Sequence, residues 1–391
     1  MLWMRYGPML VCTKCGERYD LSSPIQRCSR CGEPLQLDFA RGYVREGRSV
    51  WSRFGDFYPD VHLNMDYSMG EGDTPLLFSR RISRKLGNDI YLKNESQNPT
   101  WSFKDRGTFV ALNRAISLGF EKIGVVSTGN MAASVSAYGA RAGLETYVLL
   151  HSGTSIDRVA QISVYGSKVI LVEGDYGTLY YESIGIGTRE GIYFMNSDDP
   201  FRVEGYKSIA FEIGETVEAD YVVIPTSSGG LLRGIMKGFE ELRNSGIIDR
   251  IPVPVAVQAE GCAPICRAFH NGTQVERFDG PRTIAHAISN PYPPSGNEVL
   301  RLLKRYGGTC ISVSDEDIIN AQMDLAHEGI FVQPASATVL AAATHLKVRD
   351  KKIVLVLTGS GLKAKMEYHG RIYQCELKDL ERLLEVIENE S

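Results

Sequence analysis

The chain has 391 residues, 23% of them charged and 43% hydrophobic, and a formal net charge of −4. That length suggests two to three domains with ample core, and the composition is that of an ordinary soluble globular protein. The small negative charge argues against a polyanion-binding or membrane-surface protein, and no apolar run reaches the roughly 20 residues of a membrane span.

The first eleven residues contain Arg5 and Pro8 and run straight into Cys12, without the apolar core and cleavage site of a signal peptide. The eight cysteines are thinly spread beyond the first four, which does not suit a secreted disulfide scaffold. The expected compartment is the cytoplasm.

The first separable unit spans residues 1–36. Cys12-Thr13-Lys14-Cys15 and Cys28-Ser29-Arg30-Cys31 are each followed by glycine, Gly16 and Gly32, which lets the backbone turn and aim its NH groups at sulfur. Four thiolates at this paired spacing close a tetrahedral Zn²⁺ site with no open position, so the metal is expected to be structural. Two disulfides or four free thiols are the plainer alternative. Lys14, Arg18, Arg27 and Arg30 permit a nucleic-acid or protein partner for such a ribbon without compelling one.

Trp51 and Phe54 are expected anchors in a mixed stretch. Glu71 to Leu76 reads as a turn into a strand, and Asp89 to Leu92 as a strand. Asn98-Pro99-Thr100 is then a turn, because proline fixes its own φ and pushes its predecessor to extended geometry. Ser102 is the expected N-cap of a helix running through Leu112, which places Lys104 in the first helical turn. There the macrodipole disfavours an ammonium, and a lysine poised as a free amine suits Schiff-base chemistry. A surface lysine at a helix start gives the same local pattern.

A β/α alternation follows, with strands at Lys122 to Val126, Glu145 to Leu150, Lys168 to Val172 and Gly191 to Met195. A helix at Ile156 to Tyr165 falls between them. Units of about 25 residues argue a parallel, doubly wound sheet. Ser127-Thr128-Gly129-Asn130 before the helix from Met131 to Arg141 offers free NH groups to an anion, as does any βα turn. Arg202, beside Asn196 and Ser197, could clamp a phosphate or carboxylate, or simply satisfy a neighbouring carboxylate. A helix is expected to open at Val203 and run through Ile213.

Asp220 to Ile224 is a buried strand. It ends in Pro225-Thr226-Ser227-Ser228-Gly229-Gly230 and enters the helix Leu231 to Leu242. Hydroxyls and glycines between an apolar strand and a helix N-terminus form the best phosphate loop in the chain. It is neither a Walker loop nor a dinucleotide fingerprint. Pro254 to Glu260 is the next strand. Cys262 and Cys266, four apart on an expected helix, read as core residues. Lys352 to Leu357 is the last buried strand and ends in Thr358-Gly359-Ser360-Gly361. Leu377 to Glu390 reads as an amphipathic helix. A phosphate loop, a lysine and no catalytic metal cluster together suggest pyridoxal 5′-phosphate (PLP).

These residues carry a family resemblance. Ser102-Phe103-Lys104-Asp105-Arg106-Gly107 resembles the PLP-lysine motif of threonine synthases in the tryptophan-synthase-β-like group. Ser127 to Asn130; Asn196 to Pro200 with Arg202, Glu204, Gly205 and Lys207; Gln258 to Pro264; Glu328 to Val332 with Pro334 to Ala337; and Leu357 to Gly359 with Gly361 to Lys363 are similar to further blocks of that family. The ribbon is similar to that of some archaeal and bacterial members. The resemblance implies an α/β fold of two doubly wound parallel-sheet domains (PLP fold type II) preceded by a small zinc ribbon. A large PLP-phosphate-binding domain would comprise 37–104 and 201–391, and a small mobile domain 105–200.

The resemblance also implies the roles. Lys104 holds the PLP aldehyde and shuttles protons. Asn130 meets the cofactor's 3′-oxygen, Ser227, Ser228, Gly229 and Gly230 bind its phosphate, and Thr358 faces the ring nitrogen. Ser127 and Thr128 meet the substrate carboxylate, and Asn196, Ser197 and Arg202 its phosphate. The implied reaction converts O-phospho-L-homoserine and water to L-threonine and phosphate, in a homodimer with a small phosphorylated amino acid as its partner. A related lyase or β-replacement enzyme (cysteate synthase, a cysteine-forming enzyme, a threonine or serine dehydratase) is the alternative. An inactive zinc-ribbon binding protein is a remoter one.

The chain departs from the family pattern in places. Trp101 stands where glycine is usual, Met131 where threonine is usual and Ser360 where histidine is common. Asp199 replaces the usual asparagine. Asp198 adds a second carboxylate that would repel a dianion unless it points away.

Overall fold

Strands and helices segregate here by the spacing of their apolar residues. In this computed structural model, residues 9–22, 24–154, 156–174, 176–363 and 373–389 are described. Residues 1–8, on which the signal-peptide reading mostly rests, and Glu390 lie outside them.

The ribbon is a three-stranded antiparallel sheet of β1 (Met9–Cys12), β2 (Arg18–Asp20) and β3 (Leu35–Leu37), in the order β2-β1-β3. Leu10, Leu35 and Leu37 alternate with more accessible residues and are buried in one core with residues of both larger sheets, among them Val125 and Ile224. Ten further strands follow: β4 (Leu76–Phe78), β5 (Asp89–Asn94), β6 (Lys122–Val126), β7 (Glu145–His151), β8 (Lys168–Val172), β9 (Ile192–Phe194), β10 (Tyr221–Pro225), β11 (Val253–Ala259), β12 (Thr309–Val313) and β13 (Lys352–Leu357). They form a six-stranded sheet, β12-β11-β10-β13-β5-β4, and a four-stranded sheet, β8-β7-β6-β9. Every pairing is parallel except β4 with β5.

The large sheet is covered on both faces. Val222, Ile224, Ala256, Val354 and Val356 join one core, while Val223, Val255, Val257, Ile353 and Leu355 join another. Strands buried on both sides read as continuous apolar runs, as these do. The strand order reverses at β10. The chain leaves it for β11 and β12, then returns to lay β13 on its other side. The turns after β10 and β13 therefore open side by side at the carboxyl edge, where ligands gather in such sheets.

Two helices, Lys104–Ser117 and Pro200–Thr216, cross at glycines. A Cβ on Gly205 would lie 2.2 Å from the Arg106 carbonyl oxygen, and one on Gly107 2.5 Å from the Tyr206 ring. This close approach brings Lys104 and Arg202 together. Beneath them Arg106 is fully buried and bonds Glu95 and Glu212, which in turn pairs with Lys93.

Four local expectations change. The helix of Lys104 is preceded by Phe103 with no side-chain cap, and Ser102 does not cap it. The helix expected from Val203 begins at Pro200, because Asp199 caps it by accepting from the Phe201 and Arg202 amides and proline suits the first turn. Cys262 and Cys266 do not share a helix. The helix starts at Pro264, and Cys266 forms a disulfide with Cys310 on β12. At the C-terminal end a 3₁₀ turn, Leu377–Asp379, precedes the helix Leu380–Asn389.

Candidate active site

Lys104 opens its helix at the carboxyl edge of the large sheet. The segment before it is stitched to the end of β13: Ser102 bridges Gly359, the Phe103 amide donates to the Thr358 carbonyl at 3.1 Å, and the Ser360 amide to the Trp101 carbonyl at 3.0 Å. The Lys104 amine has no carboxylate or hydroxyl partner among the described residues. It faces the Phe103 ring at 4.4 Å and the Tyr206 ring at 5.9 Å. Burial, and then the Arg202 guanidinium, push its pKa down to about 7. The expected direction holds, but desolvation and a neighbouring cation dominate. A good fraction of this amine is uncharged at neutral pH, as a nucleophilic lysine requires.

The phosphate loop is built from backbone. The amides of Ser227, Ser228, Gly229 and Gly230 find no acceptor among the described residues, and the helix Gly230–Asn244 begins there. Gly229 has φ +96°, and a Cβ there would lie 2.9 Å from Ser295 Cβ. A Cβ on Gly230 would lie 2.6 Å from the Ser197 carbonyl oxygen. Only glycine leaves the amides open to an anion at these two positions. From behind, Asn290 donates to Ser228 Oγ at 2.9 Å and the Ser295 amide to the Ser228 carbonyl at 3.0 Å.

Thr358 and Asn130 are both oriented by residues the sequence reading did not single out. The Thr358 hydroxyl lies 3.0 Å from Ser336 Oγ, itself fixed by the Gly359 backbone. The Asn130 amide exchanges hydrogen bonds with Gln333, Nδ2 donating at 2.8 Å and Oδ1 accepting at 3.3 Å. Gln333 directly precedes Pro334 at a helix start, and that cap position was its one sequence signal. Ser102 Oγ is buried, with no hydrogen-bond partner among the described residues, two residues from Lys104. An unpaired hydroxyl, open amides, a neutral-capable lysine and a non-carboxylate partner at Thr358 fit PLP.

Ser127 and Thr128 lie half-buried at the end of β6, where the helix Asn130–Ala142 starts with open amides. Met131 is buried in the main core. After β9, Asn196 was expected to meet substrate, but its amide is engaged inside the protein. Its Oδ1 accepts from the Val126 amide at 3.0 Å, and its Nδ2 donates to the Tyr180 carbonyl at 3.3 Å and Ser183 Oγ at 2.9 Å. Ser197 remains half-exposed.

Arg202 is fully buried. It donates to Tyr206 Oη at 3.0 Å, Thr108 Oγ1 at 3.0 Å and the Lys104 carbonyl at 3.3 Å, with no carboxylate in ion-pair reach among the described residues. It is a fixed cation behind Lys104. Asp199 accepts from Tyr193 Oη at 2.7 Å, and burial raises its pKa to about 6. Asp198 is turned inward, onto Tyr180 and Arg27.

In the ribbon, the four sulfurs of Cys12, Cys15, Cys28 and Cys31 lie within 4.8 Å of one another, Cys12 to Cys31 at 3.5 Å and Cys15 to Cys28 at 3.6 Å. A tetrahedron with Zn–S bonds of about 2.3 Å has edges of about 3.8 Å, so the donor set fits that ion. Gly16 and Gly32 take φ of +70° and +69°. Among the described residues of the ribbon, each basic side chain meets a carboxylate: Lys14 meets Glu33, Arg18 meets Asp38, Arg30 meets Glu17 and Arg27 meets Asp198.

Comparison with known proteins agrees with this geometry. The family model described as pyridoxal-phosphate dependent enzyme matches residues 67–359. A threonine synthase of Methanocaldococcus jannaschii is 38% identical over 374 residues, covering 90% of this chain and 92% of that protein. One of Methanosarcina acetivorans is 35% identical with the same coverage. The solved structure of the processed form of threonine deaminase isoform 2 from Solanum lycopersicum superposes with a TM-score of 0.66 at 18% identity, covering 89% of this chain and 96% of that one. No described helix is long and apolar enough to cross a membrane.

Proposed function

Because the chain belongs to the pyridoxal-phosphate-dependent enzymes, and among them to the threonine synthase-like enzymes, we propose that it converts O-phospho-L-homoserine and water to L-threonine and phosphate. The observation that carries this reading is the position of Lys104. Its amine has a pKa near neutrality and stands at a cleft with open amides after β10 and a fixed buried cation, Arg202, behind it.

PLP, when bound, supplies the electron sink for bond-breaking at the amino acid's Cα and Cβ. Lys104 is the residue to hold its aldehyde and to carry protons at those two carbons. Ser227, Ser228, Gly229 and Gly230 hold the cofactor phosphate. Asn130, its amide set by Gln333, meets the ring oxygen. Thr358, set by Ser336, offers the ring nitrogen a hydroxyl. Ser127, Thr128 and the open amides beside them take the substrate carboxylate. Ser197 and the Arg202 charge take the substrate phosphate, with Asn196 supporting the turn. Cys12, Cys15, Cys28 and Cys31 hold one structural Zn²⁺, and the enzyme is a homodimer.

The test is turnover by purified, PLP-loaded protein. Threonine and inorganic phosphate should form in equal amounts from O-phosphohomoserine, with one zinc per chain by elemental analysis. No turnover of that compound, with activity instead on O-phosphoserine plus sulfite or on free threonine or serine, moves the assignment to a related lyase.

A further inference from the structure

Asp198 is the unexpected residue on the substrate side of the cleft. A buried carboxylate beside a site for a dianion needs a counter-charge and a reason to face away. Both come from distant parts of the chain. Arg27 Nη1 of the ribbon pairs with Asp198 Oδ2, and the Tyr180 hydroxyl donates to Oδ1. The same hydroxyl lies 3.2 Å from Ser197 Oγ and accepts from the Asp198 amide at 3.2 Å. The Ser197 carbonyl in turn packs against Gly230 of the phosphate loop.

Arg27 also grips the opposite wall. Its two terminal nitrogens donate to the Pro294 carbonyl at 3.3 Å, while Nε donates to the Gly32 carbonyl at 2.8 Å. The next residue, Ser295, supplies the amide that backs Ser228. One guanidinium thus reaches the turn that presents Ser197 and the segment that supports the phosphate loop.

We propose that Arg27 is a positioning residue for the reaction. By neutralising Asp198 it holds the Asn196–Ser197–Asp198 turn facing inward against Gly230, leaving Ser197 available to the anionic end of the substrate. The ribbon is then a part of the active site and not an appended module. This inference rests on the proposal that an anionic substrate group sits beside Ser197.

The physical consequence is specific. Without Arg27, Asp198 is a buried charge with no counter-ion, held only by the Tyr180 hydroxyl, and is driven to swing out. That movement disturbs the turn and adds negative charge where an anion binds. Removing both charges relieves the conflict. A half-open cleft of about 540 Å³, lined by Arg27, Tyr181, Tyr292, Pro294 and Asn297, leads to the guanidinium from outside. A small guanidinium compound can therefore reach the space left in an Arg27→Ala protein.

The experiment uses full-length, PLP-loaded protein as wild type, Arg27→Ala, Asp198→Asn and the double variant. It reads KM and kcat on O-phosphohomoserine, the Kd of inorganic phosphate by calorimetry, zinc content and Tm. Arg27→Ala should raise KM and the phosphate Kd by at least about tenfold, with kcat changed less than about threefold and zinc retained. The double variant should recover most of that loss, and added ethylguanidinium should rescue Arg27→Ala but not Asp198→Asn.

Wild-type phosphate affinity in Arg27→Ala overturns the proposal, as does a lowered Tm with affinity unchanged. If Arg27→Ala does not fold, the double variant decides. Affinity near wild type supports the proposal, and a loss of tenfold or more overturns it. Phosphate affinity that responds to Arg27 in a protein inactive on O-phosphohomoserine overturns the reaction assignment alone. A wild-type protein that binds no phosphate overturns both.

Discussion

The two walls of the proposed site are made of different material. On its proposed cofactor side the donors are main-chain amides of Ser227 to Gly230, presented by a strand, a turn and a helix adjacent in sequence. On the substrate side the structure is a network of buried side chains. Asn196, Asp198, Asp199 and Arg202 are all inaccessible, and Asp198 takes its counter-ion from 171 residues away. A wall of backbone tolerates side-chain change but not a wrong backbone angle. A wall of side chains does the reverse, because each deletion strands a buried partner.

The sharpest break in that comparison is at Lys104, where the walls meet. Lys104→Ala should lower kcat by at least about 10³-fold and abolish the visible absorbance of lysine-bound PLP, while the open amides still bind free PLP. Borohydride-reducible absorbance in that variant would refute the assignment. Next in size, Gly229→Ala should weaken PLP binding by about 30-fold or more, since φ +96° and the Ser295 contact both oppose a Cβ. Ser227→Ala, which leaves the amide in place, should change PLP affinity by less than about threefold. Equal losses in the two variants would erase the distinction between the walls.

The third prediction concerns pH. The amine of Lys104 titrates near 7 in the folded, PLP-free protein and near its ordinary 10.5 when unfolded. Below about pH 7 both states are protonated, and burial of the charge is fully destabilising. Between there and 10.5 the unfolded chain holds the extra proton, so stability rises with pH. Lys104→Met should raise the Tm of the PLP-free protein at neutral pH, and the gain should shrink toward pH 10.

Asp199→Ala removes the N-cap of the helix Pro200–Thr216 and should cost about 1–2 kcal/mol in urea unfolding, more than a surface substitution. The smallest expected effect is a gain. Trp101 has φ +62° and is half-exposed, so Trp101→Gly should stabilise by about 1 kcal/mol or less, seen as a small rise in Tm.

The same contrast decides what can be read from sequence. The strands Lys122–Val126 and Lys352–Leu357 stand where their apolar runs place them, because two-sided burial writes itself into consecutive residues. Lys168–Val172 also stands where its apolar run places it, although it is an edge strand with largely exposed side chains. The turn after β10 is legible for the same local reason. Gln333 and Tyr180 are not, since their value lies in partners brought near only by the fold. Asn196 sits in a recognisable block, yet its amide faces Val126 and Ser183, which no spacing rule reveals. Likewise, the early start of the helix at Pro200 depends on the Asp199 cap, which a hydrophobic pattern does not register. The bond between Cys266 and Cys310 spans 44 residues and has no local trace at all.

The ribbon sets an order on how this protein comes into being. Synthesis completes Cys31 long before Phe194, Asp198, Arg233 and Arg301 exist, and Gln26, Arg27, Leu35 and Glu33 bind those four. The ribbon, made first, waits on the ribosome with Leu10 and Leu37 uncovered until the rest of the core they join arrives. Its seating is then a late long-range closure, completed only once Arg301 exists, and a step that slow folding or a bulky N-terminal fusion should disturb.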